Sequence, residues 1–383
     1  VPSDNPPGDC AAHGARAAEL LDAMGFTVES HPVPEALCRD NGMISAINLV
    51  IRHSFGSSDG GATIALNAHG DVVAPGEGWS HDPFGAEIID GWMYGRGAAV
   101  SKSDFATYAF ALKALIETGA VLNGTVELHL TYDEEAGGAI GPKWLIDEGI
   151  SKPDYAISAG FSYGVITAHN GCLHLSVDVR GRSAHAAKPD TGHDALEAAN
   201  KVLTALYDHR SRLSEQVSAV EGIGSPQLNV GLIEGGINTN VVPDRVSLRI
   251  DRRMIPEENA GEVETGLRAL IAGAVQGVDV ITVAVEQIML AEPLKEVGDV
   301  DRLASVVQKH ASAVLGEDIP QGGVPLYTDA RHYTTRGIPT ILYGAGPRSI
   351  EEANAHRADE RLPVHLLRDA ALVIALSITD ILA

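Results

Sequence analysis

Residues 65–71 read Ala65-Leu66-Asn67-Ala68-His69-Gly70-Asp71, a short apolar run that ends in His-Gly-Asp. The β-forming residues 62–66 predict a buried strand, and polar residues follow at its carboxyl end, where open α/β sheets place their ligand sites. If the chain stays extended, His69 and Asp71 lie on the same side of it. Asp71 could then orient the imidazole, as carboxylates do for metal-bound histidines. The alternative for this stretch alone is a histidine that only ends the strand.

Strands and helices alternate on both sides of this run, which predicts a sheet with helices on its faces. The pattern predicts helices over 10–24 and 105–117 and strands over 26–33, 47–53, 125–132 and 154–158. After residue 291 the same kind of pattern returns, with a helix over 300–315, a strand over 339–343 and a helix over 364–382.

A different pattern begins near Gly171. It predicts strands over 173–179, 227–233, 246–251 and 282–289 and helices over 194–207 and 257–275. Two helices on a small antiparallel sheet form an α+β unit. We therefore predict an inserted domain over 172–291, within a metal-binding catalytic domain made of residues 1–171 and 292–383.

Composition and charge exclude several classes of protein. The chain has 383 residues, enough for two domains, and its 45% hydrophobic and 21% charged residues are ordinary for a globular protein. The formal net charge of -23 argues against a nucleic acid or an anionic membrane as partner. No run of about 18 apolar residues is present, so the sequence predicts no membrane span.

The three cysteines are Cys10, Cys38 and Cys172, an odd number without C-x-x-C spacing. They predict neither a disulfide framework nor a cysteine zinc site, and a reducing cytoplasm is the expected location. The chain begins at Val1 without a methionine or a signal-like segment. We therefore expect that an amino-terminal piece precedes it.

Two adjacent glutamates, Glu134 and Glu135, follow the predicted strand 125–132. Such charges usually belong to a solvated loop. The functional alternative is that one carboxylate binds a metal ion while its neighbour moves protons. The run Gly95-Arg96-Gly97 is not a phosphate-binding loop, because neither the rest of G-x-G-x-x-G nor G-K-[ST] is present.

Five motifs in this order resemble the co-catalytic zinc amidohydrolase family of carboxypeptidase G, aminoacylase-1, acetylornithine deacetylase and succinyl-diaminopimelate desuccinylase. They are His69-Gly70-Asp71, Gly95-Arg96-Gly97, Asp133-Glu134-Glu135, Gly181-Arg182-Ser183-Ala184-His185 and His356. The resemblance implies an α/β fold with a mixed sheet flanked by helices, a phosphorylase/hydrolase-like catalytic domain. The inserted segment would be a ferredoxin-like α+β lid and dimerisation domain.

The resemblance also implies roles for the residues of these motifs. His69, Glu135 and His356 would be metal ligands, and Asp71 would orient His69. Glu134 would be the general base that takes a proton from the attacking water. Imidazole and carboxylate ligands suit Zn²⁺ or a similar divalent ion.

By the same resemblance, the lid domain of a neighbouring subunit presents His185, which stabilises the oxyanion of the reaction. A homodimer or higher homo-oligomer would then be required for activity. The family pattern further implies that Asn240 and Arg253 contact the substrate, and an arginine can hold a carboxylate with two hydrogen bonds. An ordinary surface charge is the alternative for Arg253.

Two carboxylates that the family has are absent from this sequence. Val100 stands where an aspartate would bridge two metals, and Gly160 stands about where a glutamate would bind the first. We therefore expect one divalent metal ion per chain, Zn²⁺, Mn²⁺ or Co²⁺. Asp104, one helical turn after Val100, could replace the bridging carboxylate. Alternatively, it only favours the dipole of the helix that it begins.

Three functions remain open on the sequence alone. The first is a hydrolase that cleaves a C–N bond in a small carboxylate-bearing substrate, such as an N-acyl amino acid or a short peptide. The second is an aminohydrolase like the nitroanthranilate enzyme, which displaces an amine from an activated aromatic ring. The third is a non-catalytic binding protein that has lost its metal site. Retention of Glu134, Glu135 and His356 favours an enzyme.

Overall fold

The computed structural model describes residues 1–56, 60–277 and 280–383. These residues divide into two compact units. The first unit contains Val1–Thr167, Glu296–Gly322 and Thr328–Ala383, and the second contains Ala168–Lys295 and Gly323–Tyr327. The first unit therefore takes its residues from both ends of the chain.

The helices and strands follow one another along the chain with short connections. In order they are α1 (Ala11–Ala23), β1 (Val28–Pro32), α2 (Glu35–Asp40), β2 (Ile47–Phe55), β3 (Ala62–His69), β4 (Glu87–Ile89), β5 (Trp92–Tyr94), α3 (Lys102–Glu117), β6 (Gly124–Thr131), α4 (Pro142–Asp147), β7 (Tyr155–Ser158), β8 (Val165–His169), β9 (Gly171–Arg180), α5 (Ala195–Leu213), β10 (Gln227–Gly235), β11 (Arg245–Met254), α6 (Ala260–Ala274), β12 (Thr282–Ala291), α7 (Val300–Leu315), β13 (Gln321–Val324), α8 (Arg331–Thr334), β14 (Thr340–Leu342), α9 (Ile350–Ala353), β15 (Arg361–Pro363) and α10 (His365–Leu382).

An eight-stranded mixed sheet forms the centre of the first unit, in the order β1-β2-β6-β3-β7-β14-β8-β13. β3 is parallel to both β6 and β7, and β14 is parallel to β7. The carboxyl ends of these four strands therefore lie at one edge of the sheet. In this register His69, the last residue of β3, is paired with Thr131, the last residue of β6.

Side chains of β3 are buried on both faces of the sheet. Ile64 and Leu66 belong to the main hydrophobic cluster, which also contains residues of α3, α7 and α10. Ala65 belongs to a second cluster with Ala156 and Tyr333. Because successive side chains of a strand point to opposite faces, the two clusters cover opposite faces of β3. Such burial explains why its sequence is a nearly continuous apolar run.

A separate three-stranded sheet, in the order β15-β5-β4, lies in the first unit. β15 pairs with β5 in antiparallel register, with Arg361 opposite Tyr94 and Leu362 opposite Met93. This pairing places the segment that precedes β15 beside the Gly95-Arg96-Gly97 motif that follows β5.

The second unit is built on a four-stranded antiparallel sheet in the order β10-β11-β9-β12. Alternate residues of its central strands, such as Leu175 of β9 and Leu248 of β11, pack in one cluster with residues of α5 and α6. The carboxylate of Asp194 caps α5 by accepting the N–H groups of residues 196 and 197. The polar residues between the apolar ones lie on the other face of the sheet.

The structure confirms the predicted mixed α/β fold, with a large mixed sheet flanked by helices. The role predicted for the inserted segment, a lid and dimerisation domain, stays a prediction. No helix of the described residues is both long and apolar enough to cross a membrane.

Candidate active site

The parallel pairing of β3 and β6 brings the His69-Gly70-Asp71 and Asp133-Glu134-Glu135 motifs together. The N–H of Gly70 donates to the carbonyl of Thr131 over 2.8 Å. A side chain at position 70 would meet the ring of Tyr132, because an added Cβ would lie 2.4 Å from it. Glycine therefore permits the close approach of the two chain segments just beyond the sheet.

Asp71 connects the two motifs through its buried carboxylate. Oδ1 accepts the backbone N–H of Glu134 over 3.2 Å, and Oδ2 accepts that of Glu135 over 3.0 Å. Oδ2 also accepts the side-chain amide of Asn5 over 3.0 Å. Burial raises the pKa of Asp71, but the hydrogen bond with His69 outweighs it, so that the pKa is lowered. Asp71 is thus an anion that fixes the backbone of both glutamates.

The ring of His69 is oriented through one of its nitrogens. Nδ1 donates to the backbone oxygen of Asp71 over 3.0 Å and lies 3.3 Å from its Oδ1. The other nitrogen, Nε2, is thereby left as the atom that can bind a metal ion. Burial lowers the pKa of His69, but Asp71 and Glu134 outweigh burial and raise it well above 6.5. The surrounding carboxylates therefore favour a positive charge here.

Glu134 and Glu135 lie in a single 3₁₀ turn that ends at Gly137, whose φ is 108°. Burial raises the pKa of Glu134 to about 7, and the charges of Glu135 and Asp71 act in the same direction. A carboxyl group with a pKa near neutrality can both accept and release a proton. Glu134 therefore has the properties of a general base.

His356 reaches Glu135 from the far end of the chain. Its Nε2 lies 3.6 Å from Oε1 of Glu135. The hydrogen bond to Glu135 raises the pKa of His356. His356 has a φ of 62°, a left-handed backbone conformation that is uncommon for a residue with a side chain.

A buried ion pair holds the segment that carries His356. The guanidinium of Arg96 donates to Oε2 of Glu360 over 2.6 Å, and the N–H of Ala99 donates to Oε1 over 3.1 Å. Both side chains of the pair are almost fully buried. The Gly95-Arg96-Gly97 motif thus holds the segment that precedes β15 and does not bind a phosphate.

The nitrogen and oxygen donors of this region are of the kind that suits a divalent metal ion. They are the free Nε2 of His69, the carboxylate of Glu135 and the imidazole of His356, with Asp71 behind the first ligand. In the parts of the chain that the structure describes, these three ligand atoms are not gathered within 4.8 Å of one another. An ion held by all three would require them to approach.

Asp104 lies further along the same edge of the sheet. Its Oδ1 accepts the N–H of Ala345, just after β14, over 2.8 Å, and its buried Oδ2 has no hydrogen-bond partner among the described residues. Burial raises the pKa of Asp104 to about 7, although hydrogen bonds from the backbone amides of Ala345 and Gly160 act to lower it. Its carboxylate therefore lies near Gly160, where the family resemblance expects an acid. The role of metal ligand stays a prediction for Asp104.

His185 and Asn240 are neighbours in the second unit. The N–H of Ala186 donates to the carbonyl of Asn240 over 3.0 Å, and the ring of His185 is exposed. Nδ1 of His185 accepts the N–H of Ala187 over 3.1 Å. In the neutral ring this leaves the proton on Nε2, which can donate it to an oxyanion. Arg253, also in the second unit, donates from its Nε to Oδ1 of Asp251 over 2.9 Å.

Sequence reasoning assigned no role to two buried acids beside the glutamates, Asp133 and Asp329. Both oxygens of Asp329 are buried without a hydrogen-bond partner within the described ranges. Burial raises the pKa of Asp329 to about 8, and the charge of Glu134 adds to the effect. Gly138 permits this approach, because a Cβ there would lie 2.1 Å from Oδ1 of Asp329. An aspartate in a polar loop carries no sequence signal of burial, so only the structure identifies it.

Histidines and carboxylates at the carboxyl edge of a mixed sheet, beside a glutamate with a pKa of about 7, define the class of metal-dependent hydrolases. The model of peptidase family M20/M25/M40 matches residues 65–380, and the chain belongs to this family. This finding confirms the family resemblance predicted from the five motifs.

Relatives with known names match nearly the whole chain. The chain is 28% identical to a succinyl-diaminopimelate desuccinylase of Gluconacetobacter diazotrophicus, over 98% of this chain and 91% of the relative. It is 29% identical to an acetylornithine deacetylase of Proteus mirabilis, over 90% and 83%. The fold is similar to that of an M20 family metallo-carboxypeptidase from Sulfolobus solfataricus, with a TM-score of 0.75 and 16% identity, over 99% and 96% of the two chains.

Proposed function

We propose that this chain is a metal-dependent hydrolase that cleaves the amide C–N bond of a small carboxylate-bearing substrate, such as an N-acyl amino acid or a short peptide. The observation that supports this proposal most directly is the half-buried Glu134, with a pKa of about 7, next to the candidate ligands His69 and Glu135. The named relatives remove succinyl or acetyl groups from amines or cleave peptides, which are reactions of this type.

His69, Glu135 and His356 would hold one divalent ion, Zn²⁺, Mn²⁺ or Co²⁺. When bound, such an ion polarises the substrate carbonyl and lowers the pKa of water. Asp104 is one residue that could add a carboxylate, since Val100 has none to offer. We propose one ion per chain on this donor set.

Glu134 accepts a proton from the attacking water and then delivers it to the leaving amine. Both steps use the same carboxyl group, and a pKa near neutrality makes both transfers feasible at neutral pH. Asp71 is a positioning residue, because it holds His69 and the backbone of Glu134 and does not itself react.

Three residues of the second unit would serve the substrate. His185 would stabilise the oxyanion in the site of a neighbouring subunit, so that a homodimer or higher homo-oligomer is required for activity. Asn240 and Arg253 would contact the substrate, and the guanidinium of Arg253 suits a carboxylate.

The other two functions open on the sequence have less support. The reported relatives are named for the removal of acyl groups, and none is named for the displacement of an amine from an aromatic ring. A binding protein without a metal has no use for a glutamate whose pKa of about 7 suits proton exchange.

The test is an amine-release assay on N-acetyl amino acids, N-succinyl amino acids and dipeptides. Metal-free protein is first restored with Zn²⁺, Mn²⁺ or Co²⁺, and bound metal is measured by elemental analysis. Glu134→Gln should keep the metal and reduce kcat by roughly 10²-fold or more. His356→Ala should lose both metal and turnover. Glu148→Gln is the matched control, because Glu148 is exposed.

Two results would contradict the proposal. Full activity of Glu134→Gln would show that another group is the base. Absence of turnover with every ion and substrate class, in a protein that binds the metal, would favour a binding protein.

A further inference from the structure

A cluster of three different polar side chains lies on one face of the second unit's sheet. This is the face that is turned away from α5 and α6. On β9, Leu173 and Leu175 pack towards the helices, so Cys172 and His174 project to the opposite face. β11 is antiparallel to β9, and Asp251 lies directly opposite His174. A thiol, an imidazole and a carboxylate therefore meet on two hydrogen-bonded strands.

The three polar ends of these side chains converge. Sγ of Cys172 lies 3.3 Å from Nε2 of His174, and the same nitrogen lies 3.3 Å from Oδ2 of Asp251. Sγ lies 3.8 Å from Oδ1 of Asp251. Within the described parts of the chain, this is the only set of three such ligand atoms that all lie within 4.8 Å of one another.

These separations match those around a tetrahedral zinc ion. Bonds of about 2.3 Å to sulfur and about 2.0 Å to nitrogen or oxygen place sulfur roughly 3.5 Å from the other ligands, and nitrogen roughly 3.3 Å from oxygen. The cluster does not match a thiol–imidazole–carboxylate relay, which uses a different ring nitrogen for each partner. Here the thiol and the carboxylate both approach Nε2.

The surroundings already favour a positive charge at this point. Asp251, and then Cys172, raise the pKa of His174 to about 9, so the imidazolium occupies the centre of the cluster when no other cation is present. Arg253 donates to both oxygens of Asp251, over 2.9 and 3.1 Å, and so fixes the orientation of the carboxylate. Outer-shell hydrogen bonds of this kind orient metal ligands.

We propose that Cys172, His174 and Asp251 form a second metal site, selective for Zn²⁺ or another divalent ion that accepts a thiolate ligand. Binding of the ion releases the protons that these ligands carry, because a ligating sulfur and a ligating ring nitrogen must both be deprotonated. Three protein ligands leave a fourth position for water or an added ligand. The side chains of His174 and Asp251 are 36% and 32% exposed, which gives an ion access from solvent.

Cobalt spectroscopy of the full chain tests this site independently of catalysis. Metal-free protein is titrated with Co²⁺, and the near-ultraviolet thiolate-to-cobalt charge-transfer band is recorded. The candidate ligands of the first unit are nitrogen and oxygen atoms only, so Co²⁺ bound there gives no such band. We expect the band to be complete within two equivalents of Co²⁺, because the first-unit site also takes one ion, and we expect Zn²⁺ to abolish the band by displacement.

Variants of the three cysteines provide the matched comparison. Cys172→Ser should lose the band, whereas Cys10→Ser and Cys38→Ser, which alter buried thiols of the first unit, should keep it. His174→Gln should raise the Co²⁺ concentration for half-development of the band about tenfold or more. A wild-type chain without the band, or a Cys172→Ser chain that retains it, would overturn the proposal, whatever the outcome of the hydrolysis assays.

Discussion

The carboxylate of Asp71 makes four contacts with neighbouring groups at once. It accepts the backbone N–H groups of Glu134 and Glu135 and the amide of Asn5, and it contacts the ring of His69. A carboxylate can satisfy these donors because both of its oxygens are acceptors. An amide of the same shape has only one oxygen, so it would turn its NH₂ group towards another donor.

Asp71→Asn should therefore disturb both the candidate ligand His69 and the candidate base Glu134. We expect metal affinity to fall by about 10- to 100-fold, as for the loss of other outer-shell carboxylates, and turnover to fall with it. The measurement is competition for the metal with a chelating dye, together with kcat at saturating metal. Asp40→Asn, at an exposed aspartate, is the control. Unchanged affinity in Asp71→Asn would show that the hydrogen bonds to Asp71 do not orient the site.

Glu127 is a carboxylate whose ionisation should make the stability of the fold depend on pH. This buried carboxylate accepts from Nε of Arg52 over 2.8 Å and contacts Nε2 of His129 over 3.0 Å. Burial raises the pKa of Glu127, but the hydrogen bonds from His129 and Ser151 outweigh it and lower the pKa from 4.5 to about 2. A carboxyl group whose pKa falls on folding stabilises the folded state above its unfolded pKa.

Glu127→Gln should lower the free energy of unfolding at pH 7 by about 3 kcal/mol, since one pKa unit corresponds to about 1.4 kcal/mol. The difference from the wild type should shrink as the pH falls from 4.5 towards 2. Urea unfolding of both proteins at several pH values measures it. A difference that stays constant over this range would mean that packing, and not the ionised carboxylate, stabilises the region.

Some site residues could be predicted from the sequence, because the alternation of apolar residues shows where each strand ends and which polar residues follow it. His69 ends β3, and the two glutamates follow β6, which pairs with β3 in parallel, so their proximity follows from the pairing of these strands. Asp329 and Asp104 could not be predicted in the same way. Their burial depends on glycines at 138 and 344, which leave space for a carboxylate brought in from another part of the chain.

A buried ion pair joins β5 and β15 in addition to their backbone pairing. Arg96 follows β5 and Glu360 precedes β15, and their buried pair joins the two strands four residues beyond His356. Removing one partner of a buried ion pair leaves the other charge without compensation, which costs about 3–5 kcal/mol.

Arg96→Met should therefore lower the free energy of unfolding by about 3–5 kcal/mol, and adding Glu360→Gln should recover part of the loss. The metal affinity of the first-unit site should fall in the single variant, because His356 lies in the same segment. Chemical unfolding and metal titration measure the two effects. Lys309→Met, which breaks an exposed pair with Asp380, is the control and should cost at most about 1 kcal/mol. If the double variant lost as much free energy of unfolding as the two single variants together, Arg96 and Glu360 would not be a coupled pair.

Long elements were predictable from periodicity, whereas short ones were not. α7 begins and ends at the predicted residues, Val300 and Leu315, because its apolar residues recur at helical spacing and Gly316 ends it in a left-handed conformation. The predicted start of α6 was three residues early, since Asn259 caps the helix. β4, β5 and β15 have three residues each, which is too few to show a periodic pattern. β15 also depends on a distant partner, because it pairs with β5.

The second unit has an exposed apolar strand at the edge of its sheet. β10 is an outer strand of the four-stranded sheet, and its residues Leu232 and Ile233 are 61% and 52% exposed. An unpaired edge with apolar side chains favours pairing with another chain. Leu232→Glu should therefore shift the protein towards a monomer in analytical ultracentrifugation, while Leu196→Glu, at an exposed leucine on α5, should not.

If the second unit of one subunit serves the first unit of another, two inactive variants should restore each other. A dimer of Glu134→Gln with His185→Ala contains one complete site, made of Glu134 from one chain and His185 from the other. Random mixing of the two variants by co-expression should therefore recover about a quarter of wild-type activity. A mixture of Glu134→Gln with His356→Ala is the control: both residues belong to the first unit, so every site of the mixed dimer has a defect. Recovery in the first mixture alone supports a shared site, whereas equally low activity of the two mixtures would mean that His185 acts within its own chain. A His185→Ala protein that is active by itself would mean that His185 is not needed.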